Sequence, residues 1–235
     1  MDILTSEDVE LLHEIGSRMA AADPLHEVLS RVVDFAVALV HSDSCFIYVL
    51  EGDDLVLRAS KNAHRESVDR LSMKVGQGIT GWVAEHRSPV AIPEKAHGDP
   101  RFKSFQELPE DKFEAFLSVP ILCRGRLVGV INLQHRQPHA YSQRVMRLIS
   151  TVGFLVGAEI EMARLETENS KLFEKLEARK VVERAKGILQ REMGLTEEQA
   201  YLALQHQSRQ KRKSMKEIAE AILTSDDLKR GARAS

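Results

Sequence analysis

Tryptophan occurs once and cysteine twice in 235 residues, and aromatics make up only 5% of the chain. Cys45 and Cys123 are too few to frame a disulfide-stapled fold, and neither sits in a zinc-type spacing. Both lie in apolar, strand-like runs, the usual setting of a buried free thiol. No apolar run approaches the ~18 residues that a membrane-spanning helix needs. The opening MDILTSEDVELL is acidic, not basic and then apolar, so it does not read as a secretory signal. There is no P-loop, nucleophile elbow or Cys-x-x-Cys pattern. The cluster Gly76, Gly78 and Gly81 lacks the lysine-serine end of a phosphate loop, and turn geometry explains it. These absences predict a cytoplasmic, non-enzymatic protein without a metal site.

What is present is an ordinary globular composition, 43% hydrophobic and 29% charged. The net charge of −2 conceals an asymmetry. Residues 171–235 hold 15 Lys/Arg against 10 Asp/Glu, whereas residues 1–170 hold 18 against 25. An acidic first part followed by a basic tail points to a polyanionic partner for the tail.

The first 140 residues mix two periods. Thr5 or Ser6 opens a helix with the stripe Val9, Leu12, Ile15 and Met19, and Asp23-Pro24 caps a second with Val28, Leu29, Val32 and Phe35. The period then falls to two. Residues 44–50 and 55–60 flank Gly52-Asp53-Asp54 as a hairpin, and 115–122 and 127–134 flank Arg124-Gly125 as another. Shorter strands are expected over 70–74 and 90–92, and a short helix over 79–86. The fold class is α+β, with an antiparallel sheet and flanking helices.

From Tyr141 to Met193 apolar residues recur every three or four positions without a proline, a length that suggests a coiled coil or a domain-joining helix. The register slips between Ala163 and Leu165. The last turns carry the stripe Val181, Val182, Ala185, Ile188 and Leu189, and Gly194 ends them. Thr196-x-x-Gln199 and Ser214-x-x-Glu217 are capping boxes that open two further helices. Arg209-Gln-Lys-Arg-Lys213 lies between those helices, and LKRGARAS reads as a frayed basic end. Gly187 interrupts an exposed helix at a cost of roughly 1 kcal/mol against alanine. Either a neighbouring helix or a ligand backbone approaches closely there, with Lys186 beside it as a point charge, or the glycine is merely tolerated.

Two family resemblances emerge from these residues. GQGITGWVAEHRSPVAIPEKAHGDPRF, followed by FLSVPILCRGRLVGVINLQ, resembles a GAF domain over roughly residues 5–162. That resemblance implies a sensory module with a pocket between the sheet and its covering loops. Trp82, His97, Asp99, Arg101 and Phe102 are the candidate pocket residues. Two other readings stay open: these side chains only pack the covering segments, and the domain has no ligand and only dimerises. The ligand or cofactor is not named by the sequence. His64, His86 and His97 are loop or helix-end histidines, more often surface groups than metal or haem ligands.

The stretch 176–223, with Ala185-Lys186-Gly187-Ile188-Leu189, Gly194-Leu195, Ala200-Tyr201 and Ile218-Ala219-Glu220-Ala221-Ile222, resembles the ANTAR domain of transcription antitermination regulators. The resemblance implies a three-helix module that binds RNA hairpins of a nascent leader transcript and pairs as a dimer. Gln190, Gln205 and Ser208 depart from the usual methionine, arginine and alanine, which bears on RNA contact. The expected RNA face comprises Arg179, Lys186, Gly187, Arg191, Arg209, Lys211, Arg212 and Lys213. The predicted organisation is a sensory domain over 1–162, a coiled-coil linker helix over 163–178 and an RNA-binding module over 179–235. A homodimer is expected, with a small-molecule ligand in the first domain and no membrane partner. The alternative is a DNA-binding or protein-docking regulator with the same sensor.

Overall fold

The computed structural model describes His13 and residues 25–61, 67–102 and 113–233, with side-chain surroundings up to Leu228. The first predicted helix, the Asp23-Pro24 cap and His64 lie outside the described residues. The chain divides into two compact units, Met1–Arg164 and Leu165–Ser235.

In the first unit the period-two runs become strands β1 (Ser44–Glu51), β2 (Asp54–Lys61), β3 (Ser72–Lys74), β4 (Val90–Ile92), β5 (Ala115–Cys123) and β6 (Arg126–His135). They form one sheet in the order β3-β2-β1-β6-β5-β4, with every neighbouring pair antiparallel. The β5–β6 turn falls on Arg124-Gly125, both with positive φ, the geometry that a tight two-residue hairpin turn demands. Helix α1 (Leu25–Val40) buries Val28, Leu29 and Val32 of the expected stripe together with Val33, Ala36 and Val40, while Phe35 is half-buried. Helix α2 runs over Gly78–His86.

Both faces of the sheet are covered, so β1, β5 and β6 are buried on both sides along most of their length, whereas β2 alternates buried and half-buried residues. Cys45, Ile47 and Val49 of β1 join α1 in one core, together with Ile149, Val152 and Val156 from the first turns of helix α3 (Gln143–Met193). Phe46 and Tyr48 point the other way, into a second core with Val83 and Ala84 of α2. Burial raises the pKa of the Cys45 thiol and of the Tyr48 hydroxyl far above their usual values, so both stay neutral. Helix α3 meets β5 almost backbone to backbone. A Cβ on Gly157 would lie 2.6 Å from the Leu122 carbonyl oxygen, and one on Gly153 would lie 3.3 Å from that of Pro120.

The second unit holds the later turns of α3, then α4 (Glu197–Lys211) and α5 (Met215–Arg233). Its core is small: Ala185, Leu204, Ile218 and Ala219, with Val181, Val182, Leu189, Met215 and Ile222 packed around them. Both capping boxes form. Thr196 Oγ1 accepts from the Gln199 N–H, and Gln199 Oε1 accepts from the Thr196 N–H. Glu217 accepts from the Ser214 N–H, while Ser214 Oγ accepts from the Glu217 N–H. One expectation is corrected: the basic end is not frayed coil, because α5 continues through it to Arg233.

Candidate nucleic-acid interface

The eight residues expected at the RNA face do not share one environment. Four of them, Arg209, Lys211, Arg212 and Lys213, are exposed at the end of α4 and in the turn before α5. None of the four forms an ion pair among the described residues. The turn that carries them is tied down. Arg212 sits in the left-handed region at φ 53°, and its N–H bonds to the carbonyls of Arg209 and Ser208. The Lys213 N–H bonds to the Ser208 carbonyl at 3.1 Å, and Ser208 Oγ–H donates to the Lys213 carbonyl at 2.5 Å. Ser208, a departure from the ANTAR pattern, therefore stitches the basic turn together, which an alanine could not do. Arg179 is likewise exposed, two residues before Val181, where the packed stripe of this unit begins.

Lys186 and Arg191 are committed elsewhere. Lys186 is only 6% exposed. Its Nζ donates to Glu197 Oε1 at 2.8 Å and to the Glu183 carboxylate at 2.9 and 3.1 Å. Those two carboxylates, Glu197 foremost, raise the pKa of Lys186, and Lys186 in turn lowers that of Glu197. Lys186 is thus not the free point charge beside Gly187 that the sequence suggests: its stem is covered and its ammonium ties α3 to the first turn of α4. Arg191 reaches the largely buried Asp226 of α5 at 3.0 Å. Gly187 is exposed, and nothing lies within 4 Å of where its Cβ would stand. No neighbouring helix explains that glycine, and a partner's backbone has room to reach it.

On the sensory side, four of the five candidate pocket residues come together. The Trp82 ring is stacked by His86, centroids 4.0 Å apart, and Arg101 lies 4.9 Å from its centroid. Arg101 bonds Asp99 through two nitrogens at 2.8 Å, which holds the Asp99 carboxyl below its usual range. Phe102 packs against the second core with Trp82. His97 stays exposed, 3.7 Å from Glu114, and does not join them. This arrangement closes the loop over α2 with its charges already paired.

Sequence reasoning missed the polar group beneath α2. Ser118 Oγ–H donates to Asn132 Oδ1, and Asn132 Nδ2–H donates to Thr80 Oγ1, both at 2.7 Å and fully buried. The available signal was a serine and an asparagine at inward positions of two otherwise apolar strands. A groove of about 780 Å³ also lies on the α1 face, lined by Leu29, Val33, Val49 and Ala59. Its cations are committed, Arg58 to Glu51 and Asp69 and Lys61 to Asp34.

Comparison with known proteins agrees with this division. The model of the GAF domain matches residues 22–161, and that of the ANTAR domain matches residues 170–223. The chain is 42% identical over 76 residues to the transcriptional regulatory protein PdtaR of Mycobacterium tuberculosis, covering 32% of this chain and 37% of that protein. It is 28% identical over 160 residues to the phosphoenolpyruvate-dependent phosphotransferase system protein of Escherichia coli, covering 67% of this chain and 20% of that one. It thus spans well under half the length of either relative. The GAF domain of a phosphoenolpyruvate-protein phosphotransferase from Coxiella burnetii superposes with a TM-score of 0.64 at 26% identity, over 68% of this chain and 96% of that one. The corresponding Acinetobacter domain superposes equally well, at 0.64 and 23% identity, over the same 68% and 96%. The chain belongs to the GAF domain family, and an ANTAR domain follows its GAF domain.

Proposed function

We propose that this protein is a signal-responsive transcription antitermination regulator. Its ANTAR domain binds hairpins in nascent leader RNA, and its GAF domain receives a ligand or state and helps two copies pair. The observation that carries this reading is the basic turn. Four cations in five residues stand exposed on a backbone fixed by Ser208 and by the Ser214–Glu217 capping box, and no carboxylate among the described residues neutralises them by ion pairing. Such an array suits phosphates held at a set spacing, as A-form RNA presents them. Resemblance to a transcriptional regulatory protein supports the same role. So does the 26% identity over 176 residues to the Nif-specific regulatory protein of Azospirillum brasilense, which covers 72% of this chain and 27% of that protein. A nascent transcript as partner places the chain in the cytoplasm, and the role needs no catalysis.

A DNA-reading helix-turn-helix is less well supported. A recognition helix presents polar side chains to bases from its N-terminal turns. Here Met215, Ile218 and Ala219 of α5 turn into the core, leaving little but Lys216.

The test is a titration of structured RNA hairpins and duplex DNA over a range of salt. Hairpin affinity should exceed duplex affinity and fall steeply with salt. Arg212→Ala should weaken binding to all hairpins and reduce the logarithmic salt slope by somewhat less than one, about the yield of one released counterion. A slope unchanged in Arg212→Ala, Lys211→Ala and Arg209→Ala alike would remove the basic turn from the interface. Preference for duplex DNA would establish the alternative.

A further inference from the structure

We propose that Tyr201 is a stacking platform for an unpaired nucleobase in the loop of the bound RNA. The proposal rests on the RNA reading above and deepens it, because the basic turn offers contacts to phosphates alone. Tyr201 lies on α4 and is 43% exposed, and its neighbour Leu202 is 51% exposed. The core of the second unit takes Leu204 from this helix, Ala200 is buried as well, and Tyr201 is left out. Among the described residues the Tyr201 ring stacks on no other ring and its hydroxyl has no hydrogen-bond partner.

The position of the ring matters as much as its exposure. On a helix, residues four apart stand one above the other, so Tyr201, Gln205 and Arg209 form one line that ends at the Arg212 turn. From Tyr201 to Arg209 the helix rises about 12 Å. An RNA loop laid along that line would meet cations at one end and an aromatic face at the other. Unpaired bases of RNA loops are splayed out and stacked on such faces. Gln205 stands between, with an amide that can both donate to and accept from a base edge. In this chain the usual arginine of that position is gone, so the centre of the line carries a neutral hydrogen-bonding group, not a phosphate-seeking charge. The line thus divides into a phosphate-binding end and a base-binding end. A base stacked on the ring adds affinity without releasing a counterion.

The test uses the full-length chain and stem-loops that the wild type selects from a randomised-loop library, each with 2-aminopurine substituted at one loop position in turn. One position should show fluorescence quenching on binding. Tyr201→Phe should keep the quenching and the affinity. Tyr201→Ala should lose the quenching at that position and bind roughly 10-fold more weakly, with its salt slope unchanged and its circular dichroism that of the wild type. Equal affinity in Tyr201→Ala, or quenching that persists, overturns the proposal. A shift of Tyr201→Ala toward monomer in sedimentation equilibrium also overturns it, because the ring would then be a contact between copies. If the wild type selects no stem-loop while its fold is intact, the RNA reading itself fails and takes this proposal with it. If hairpins bind and only the tyrosine variants behave alike, the RNA reading survives alone.

Discussion

Lys186 and Arg212 carry the same charge and serve opposite ends. Lys186 is covered and held by Glu183 and Glu197, whereas Arg212 is held by its backbone and leaves its guanidinium exposed. Lys186→Ala should therefore lower the melting temperature of the ANTAR domain and weaken RNA binding only through that loosening, with the salt slope of the wild type. Its pH signature follows from the shifts. Glu197 is held below its usual value, so its contribution is present above about pH 4.3 and lost as pH falls through the folded value. Lys186 is raised, so its contribution is present below about pH 10.4 and lost as pH climbs through the folded value. The melting-temperature gap between wild type and Lys186→Ala should thus be widest near neutrality and close in acid, which thermal melts over pH 3 to 8 would read. A constant gap would show that the lysine acts through packing alone. The sequence contained both partners of this tie but could not pair them. Glu197 is eleven residues from Lys186, and the Gly194 turn has to reverse the chain before they meet. Arg209 to Lys213 were legible as an exposed basic turn, because a run that dense in cations has no carboxylate within it to pair with.

At the scale of elements, local signals carried most of the fold. Both hairpins, α2 and the two capping boxes stand where turn residues and caps placed them, because those structures are decided within a few residues. Helix α3 is different, since its glycines have the same sequence signature and unlike surroundings. Gly157 lies against the Leu122 backbone, and Gly187 faces open space. Gly157→Ala would drive a methyl to 2.6 Å from a carbonyl oxygen. Overpacking of this kind costs about 1–3 kcal/mol, against a helical gain of roughly 1 kcal/mol for alanine over glycine. The sum is a destabilised GAF domain. Gly187→Ala meets no obstacle and should stabilise the free ANTAR domain by up to about 1 kcal/mol. If an RNA backbone lies on that surface, the same variant should bind hairpins more weakly despite its higher melting temperature. Thermal melts of both variants, with hairpin titration of the second, give two opposite signs of ΔTm from one substitution type. A fall in melting temperature for Gly187→Ala would mean that something packs there.

At the scale of the whole molecule, the stretch following the first compact unit has to be explained by something outside the single chain. Leu165, Leu172 and Leu176 are each more than half exposed, and residues 165–176 are exposed throughout. With Asn169 they follow the spacing four, three, four, which is that of a coiled-coil seam. Inside the long helix α3, this stretch gains no stability from packing within the single chain, which is where most helical stability comes from. The economical partner is the same segment of a second copy, which hides three leucines per chain and brings the two Asn169 amides within reach of each other. Such pairing has a functional consequence. On the reading proposed above, two ANTAR domains joined in one molecule would bind two adjacent hairpins with the second event intramolecular, and affinity would rise well beyond that of one domain without any new contact. Leu165→Gln with Leu172→Gln should therefore yield a monomer in sedimentation equilibrium. It should bind a single hairpin as the wild type does and lose the extra affinity for a two-hairpin RNA. Asn169→Leu should do the reverse in stability, since a polar residue at the seam trades strength for register, and should admit additional oligomeric states. If the double glutamine variant stays dimeric, the GAF domains carry the pairing, and control of RNA binding must then pass through their packing and not through this seam.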